Sequence, residues 1–146
     1  MNPKPFIVTE REYAKAFDIV GERVTVLASG VKTGGYEVFH QQGPEGSGPP
    51  PHSHPWDETF FIIKGEVEFG IGEEVTWGEP GTLVHFPAGT THWFRFGKGG
   101  GVMVSITSRL GASRMFADFA REISPTNPDL NKLIEVGKRH GLTVER

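Results

Sequence analysis

From Tyr36 to Ser108, no run longer than nine residues is free of both glycine and proline. Such punctuation leaves no room for helices of ordinary length, about 10–14 residues, and favours short strands joined by tight turns. The runs between the breaks behave accordingly. In GERVTVLA, Val24, Val26 and Ala28 fall on one side, as in a half-buried strand. Tyr36 to Gln42, ETFFIIK, EVEFGIG, EVTWG, GTLVHFP, THWFRFG and VMVSITS continue the series. Strands this short and this numerous predict a mainly β sandwich or barrel. No second domain or repeat is evident, so residues 1–146 read as a single domain.

The pattern changes near Ser113. Phe116, Phe119, Ala120 and Ile123 recur at helical spacing, which predicts an amphipathic helix over 113–123, ended by Pro125. A second helix is expected after Asn127 as N-cap and Pro128 at the first helical position, with Leu130, Leu133, Ile134 and Gly137 facing inward. His140 and Gly141 suit its end. This helical extension, 113–141, has apolar stripes that need cover: the outside of the barrel, its mouth or a partner subunit.

Bulk properties narrow the function. A net charge of −3, with no basic aromatic strip, gives no reason to expect nucleic acid as a partner. No apolar run is long enough for a membrane span, so no membrane partner is expected and a cytoplasmic location is the default. The absence of cysteine excludes disulfides, thiolate metal sites and cysteine nucleophiles.

The chemistry concentrates in GSGPPPHSHPWDETFFIIKG. His52 and His54 are two apart, so on an extended chain both imidazoles reach the same side. Glu58 opens the next strand, and a turn through Pro55, Trp56 and Asp57 brings its carboxylate back toward the pair. His92, which follows the turn Pro87-Ala88-Gly89-Thr90 and starts another strand, is the natural fourth ligand. Three imidazoles and one carboxylate suit a divalent first-row transition metal (Fe, Mn, Ni, Co, Cu or Zn) rather than calcium or magnesium. Asp57 has the wrong parity to join them and reads as an exposed turn acid. His85 reads as outward-facing. His40, in YEVFHQQ, is a candidate second catalytic group beside Glu58 if it points into the barrel. Phe60, Ile62, Phe94 and Phe96 share parity with Glu58 or His92 and are candidate walls of a substrate pocket, or simply barrel filling. Trp56 is a candidate for the pocket edge, and Trp93 is expected to pack outside.

These segments resemble a known family. Gly46, His52, His54, Glu58 and Gly65 fall at the spacing of the first cupin motif over 46–65. Gly81, Pro87, Gly89 and His92 match the second over 81–96, except that Phe96 stands where the motif has asparagine. With only 15 residues between Gly65 and Gly81, the chain looks like the small quercetin-dioxygenase-like cupins. The resemblance implies a double-stranded β-helix, the cupin jelly-roll barrel, here with two C-terminal α-helices, and a homodimer. Because this fold hosts unrelated reactions, it implies a small-molecule substrate without naming one. The leading expectation is a dioxygenase-like oxidoreductase acting on a small aromatic or enolisable molecule. A non-redox isomerase, cyclase or lyase, and a small-molecule sensor without turnover, are the alternatives.

Overall fold

The computed structural model describes residues 2–108 and 111–145. After a single 3-10 turn at Glu10–Glu12, the chain forms β1 (Phe17–Ile19), β2 (Glu22–Ala28), the one-turn helix α1 (Gly30–Thr33) and β3 (Tyr36–Gly43). Next come β4 (His52–Ser53), β5 (Glu58–Lys64), β6 (Val67–Ile71), β7 (Glu74–Gly78), β8 (Leu83–Phe86), β9 (His92–Phe96) and β10 (Gly101–Ser108). Two helices, α2 (Ala112–Glu122) and α3 (Leu130–Arg139), precede the short strand β11 (Thr143–Val144).

The strands make two antiparallel sheets, ordered β1-β2-β3-β10-β5-β8 and β11-β4-β9-β6-β7. Their inner faces supply one shared cluster in which Phe60, Ile62 and Met103 of the first sheet meet Val67, Phe69, Phe94 and Phe96 of the second. This is the expected jelly roll. Alternation explains it: β5 buries Glu58, Phe60 and Ile62 and turns Phe61 and Ile63 outward. Turn chemistry holds the register. Gly65 has φ +77° and lies against the Gly100 carbonyl, where a side chain would sit 2.2 Å from that oxygen. Glycine alone meets both demands.

The helices do not pack on the outside of the barrel. Met115 and Phe119 of α2, Val136 of α3 and Leu142 cluster with Val24, Phe39 and Trp56, covering one open end. Glu37, a buried carboxylate of β3, anchors the start of α2 by accepting hydrogen bonds from the Ser113 amide (2.9 Å) and hydroxyl (2.5 Å). Between the helices, Arg139 pairs with Glu122 at 2.7 Å and His140 with Asp118 at 2.7 Å. The N-cap of α3 is Asp129 rather than Asn127: its carboxylate accepts from the amides of Asn131 (3.0 Å) and Lys132 (3.3 Å). The helix thus starts at Leu130, which is 58% exposed and not part of the inner stripe. Among the described residues, no helix is long and apolar enough to cross a membrane.

Candidate metal centre

Three strands and one loop converge at the covered end. His52 lies in β4, His54 just after it, Glu58 begins β5 and His92 begins β9, where it pairs directly with His52. All four side chains are buried, and one ligand atom from each lies within 4.8 Å of all the others. Glu58 belongs to one sheet and His52 and His92 to the other, so a shared ion would tie the sheets together.

Backbone carbonyls fix the histidine rings. Nδ1 of His52, His54 and His92 lies 2.9, 3.0 and 2.8 Å from the carbonyl oxygens of Pro50, Trp56 and Thr90. A carbonyl only accepts, so each Nδ1 carries a proton, and in the neutral form of each ring the lone pair then lies on Nε2. Stacking locks the ring planes, with His92 on Phe86 (4.2 Å between centroids, 18°) and His54 on Trp56 (4.6 Å, 11°). The Nε2 atoms of His54 and His92 each lie 3.2 Å from Glu58 Oε1.

That arrangement tests whether a metal fits. Two bare nitrogen lone pairs facing a carboxylate oxygen repel unless a cation lies among them. Protonating both rings would instead crowd two imidazolium ions whose centroids are 5.0 Å apart. A divalent ion satisfies all four donors at once, and the donor set is that of a borderline transition metal. Burial, and then the neighbouring His92, push His52 down to about 4, so that it offers a neutral nitrogen at physiological pH. For Glu58, burial acts to raise the carboxyl, but hydrogen bonding and positive charge at the His54 and His92 positions outweigh it and hold it at about 2, so the carboxylate needs a cation beside it, either a proton on those rings or a bound metal ion. The four expected ligands are therefore brought together.

Asp57 is exposed and takes no part in the cluster. Its Oδ1 accepts from the Ala88 amide at 2.8 Å, tying the turn before His92 to the loop before Glu58. His85 is exposed, with Nδ1 2.8 Å from the Thr59 hydroxyl. Trp93 packs on the outside over Gly70, next to Arg95.

Next to the ligands lies a cavity of about 140 Å³. Its floor includes His52, His54, Glu58 and Phe94, and Trp56 lines one side. Met115, Phe116 and Phe119 of α2, Leu133 of α3 and Leu142 form the roof. Trp56 and Phe94, two of the candidate pocket residues, line this cavity. Phe60, Ile62 and Phe96 face inward as their parity predicts, but they are buried deeper and fill the closed end of the barrel.

The expectation for His40 is corrected. On β3 the buried positions are Glu37, Phe39 and Gln41, which turns His40 to the opposite face, where its ring lies 6.3 Å from that of Tyr13. The cavity holds two polar residues that the sequence reading did not single out, Glu22 and Gln41. Glu22 Oε1 accepts from Gln41 Nε2 at 3.3 Å, and Gln41 Oε1 accepts from the Ser105 hydroxyl at 2.5 Å. Burial pushes the Glu22 carboxyl up to about 8, against the lowering effect of Gln41 and with a small push from Glu58. The signal was present, because Glu22 shares parity with Val24, and Gln41 with Phe39.

Comparison with known proteins agrees with this architecture. Residues 39–106, which span both motif segments, match the family model for the cupin domain. Among solved structures, KdgF from Halomonas sp. superposes with a TM-score of 0.68 at 16% identity, covering 76% of this chain and 99% of its own. The polyketide cyclase RemF from Streptomyces resistomycificus gives 0.62 at 14% identity, with 72% and 79% covered. The DMSP lyase DddQ from Ruegeria pomeroyi gives 0.57 at 22% identity, with 70% and 55% covered. No curated protein matches the chain significantly. The chain thus shares its fold with these proteins and carries, over residues 39–106, a segment that matches the cupin-domain model; within it His52, His54, Glu58 and His92 form a cluster able to hold one metal ion.

Proposed function

We propose that the protein is a metal-dependent cupin enzyme acting on a small aromatic or enolisable organic molecule, with dioxygenase-like oxidation as the preferred chemistry. One observation carries the reading: of four clustered potential ligands, three, His52, His54 and Glu58, form the floor of a small, largely apolar cavity roofed by helices. A bound divalent ion would supply Lewis acidity toward a substrate oxygen and, if redox-active, a route to dioxygen chemistry. The three histidines would hold it through Nε2. Glu58 would complete the set and is the best-placed base within it. Met115, Phe116 and Phe119 would exclude water, which strengthens every electrostatic interaction in the site.

Elemental analysis of protein purified without oxygen, followed by an oxygen-uptake screen with catechols, β-diketones and flavonols, tests this reading. One transition-metal ion per chain with substrate-dependent oxygen uptake supports it. Turnover without oxygen uptake moves the assignment to a non-redox isomerase, cyclase or lyase. Ligand binding without any product moves it to a sensor.

We also propose a cytoplasmic homodimer. Phe61, Ile63, Leu83 and Ile106 are 41–61% exposed on the outer face of the six-stranded sheet, and Phe61 and Leu83 are direct cross-strand neighbours. A contiguous apolar face of this kind suits a two-fold contact with a second copy. A monomeric mass by sedimentation at high micromolar concentration would overturn the dimer, and recovery in a membrane or secreted fraction would overturn the location.

A further inference from the structure

The inner face of β2 and β3 spends two buried positions on polar side chains where they line the cavity. Glu22 is 8% exposed and Gln41 3%, and both line the cavity. Gln41 is oriented by its bond to Ser105, which is fully buried, and this directs its amide nitrogen toward Glu22. Among the described residues, Gln41 is the one hydrogen-bond partner of the Glu22 carboxyl. A carboxyl group has several further donor or acceptor positions, and burying it without partners is costly. At the closed end of the same barrel, the corresponding space is filled with phenylalanine, isoleucine and methionine.

We propose that Glu22 and Gln41 form the polar pole of the substrate chamber, and that the chamber selects a small, uncharged, otherwise apolar molecule of about one ring that presents a hydroxyl or N–H group to Glu22. This rests on the proposed function for the position of the reacting end, and on the chamber alone for size and polarity. Size follows from volume. A cavity of about 140 Å³ is close to the ~150 Å³ apolar cavity that accommodates benzene, and well under the roughly 300–1,000 Å³ of sites for drug-sized ligands. Charge follows from the lining, where none of the described residues is lysine or arginine. A carboxylate or phosphate on the substrate would meet no cationic side chain there. The polar contact follows from Glu22, held by Gln41 with bonding capacity left over. The competing explanation, that Glu22 and Gln41 merely close the barrel, predicts no effect on ligand preference.

Phenol and toluene, nearly equal in size and differing in one hydroxyl, are the probes. Their affinities are measured by calorimetry for the wild type, Glu22→Gln, Glu22→Leu and Gln41→Leu, each metal-free and zinc-loaded, with zinc content assayed in the same samples. The expected result is a preference ratio, phenol over toluene, that falls about tenfold in Glu22→Leu, the size of one net hydrogen bond. Glu22→Gln, which keeps a donor and an acceptor, should stay within about threefold of wild type. In the metal-free protein, benzoate and phenyl phosphate should bind more weakly than phenol. An unchanged ratio in Glu22→Leu, tighter binding of either anion, or no binding of phenol or toluene up to the solubility limit would overturn the proposal. A ratio that shifts in protein unable to hold zinc would support this inference while removing the metal centre. An unchanged ratio in fully zinc-loaded protein would do the reverse.

Discussion

At the closed end of the barrel interior, Phe60, Phe69 and Phe96 interlock edge to face and tilted with Phe94, whose ring also floors the cavity, at centroid distances of 5.3–6.4 Å. At the covered end, Trp56, Met115 and Phe119 share their space with Glu22, Gln41, His52, His54 and Glu58, and a cavity remains. The closed end is built entirely from strands, within one stretch of chain. The covered end draws on β2, β3, the 52–58 loop, β9, both long helices and β11. Dense packing of neighbouring strands supplies stability, and the end assembled from distant segments has room for chemistry. Each prediction below breaks or sharpens that contrast.

The largest effect belongs to the ligands. His52→Ala with His92→Ala removes two of four donors and should abolish stoichiometric metal binding while leaving the phenylalanine cluster folded. Full metal content in the folded double variant would dissolve the distinction. Glu58→Gln comes next. If Glu58 is also the base, turnover of an identified substrate should fall by ~10²–10⁴-fold even when the protein is fully metallated. Wild-type turnover would leave Glu58 a ligand only.

A pair of truncations then compares the two ends directly. Phe60→Ala opens a void in a fully buried cluster and should cost about 3–5 kcal/mol in denaturant unfolding. Phe119→Ala enlarges a cavity that already exists, so the cost should lie nearer the transfer term alone, ~2 kcal/mol. Equal costs would mean that the covered end is packed as tightly as the closed one.

The covered end should also carry a pH dependence that the closed end lacks. Glu22 titrates at about 8 in the folded chain against 4.5 as its ordinary value. Between those values the folded state binds more protons than the unfolded one, so Glu22 makes stability fall as pH rises through this window. In metal-free protein, Glu22→Gln should therefore flatten the decline between pH 4.5 and 8; a difference between the two proteins that does not vary with pH would count against it. The smallest effect is expected at Asp129→Ala, which removes the α3 cap and should cost about 1 kcal/mol. Because α3 roofs the cavity, the loss should appear as faster amide exchange in residues 130–139 without change in the phenylalanine strands.

The four clustered side chains of the candidate metal centre were legible because they obey local rules. His52 and His54 share a side through two-residue spacing, and Glu58 and His92 each begin an alternating run. Strands β5, β6, β9 and β10 were legible for the same reason. His40 was misread because β3 offers a choice between Tyr36, Val38 and His40 on one side and Glu37, Phe39 and Gln41 on the other. Hydropathy does not favour the second set, yet Glu37 and Gln41 are buried because Ser113, Gly30, Ser105 and Glu22 satisfy them. Strands β4 and β11 have two residues each, too short for any periodicity, and they exist through long-range pairing. The depth of Phe60, Ile62 and Phe96 was equally unreadable, since parity gives a face and says nothing of distance from the mouth.

The pairing of β11 with β4 has a consequence for how the protein is made. Val144 lies opposite His52, more than ninety residues downstream of it. Strand β4 is only two residues long, with β9 on one side and β11 on the other, so half of its ladder is missing until residue 144 has left the ribosome. Both motifs, and all four ligands, are synthesised well before that. Contacts so far apart in the chain close late. A nascent chain therefore carries every ligand while one edge of the strand bearing His52 is still unpaired. Loading of the proposed metal centre would therefore follow synthesis of residue 144, and a fusion that hinders docking of residues 143–145 should leave a sound barrel with a poorly filled centre.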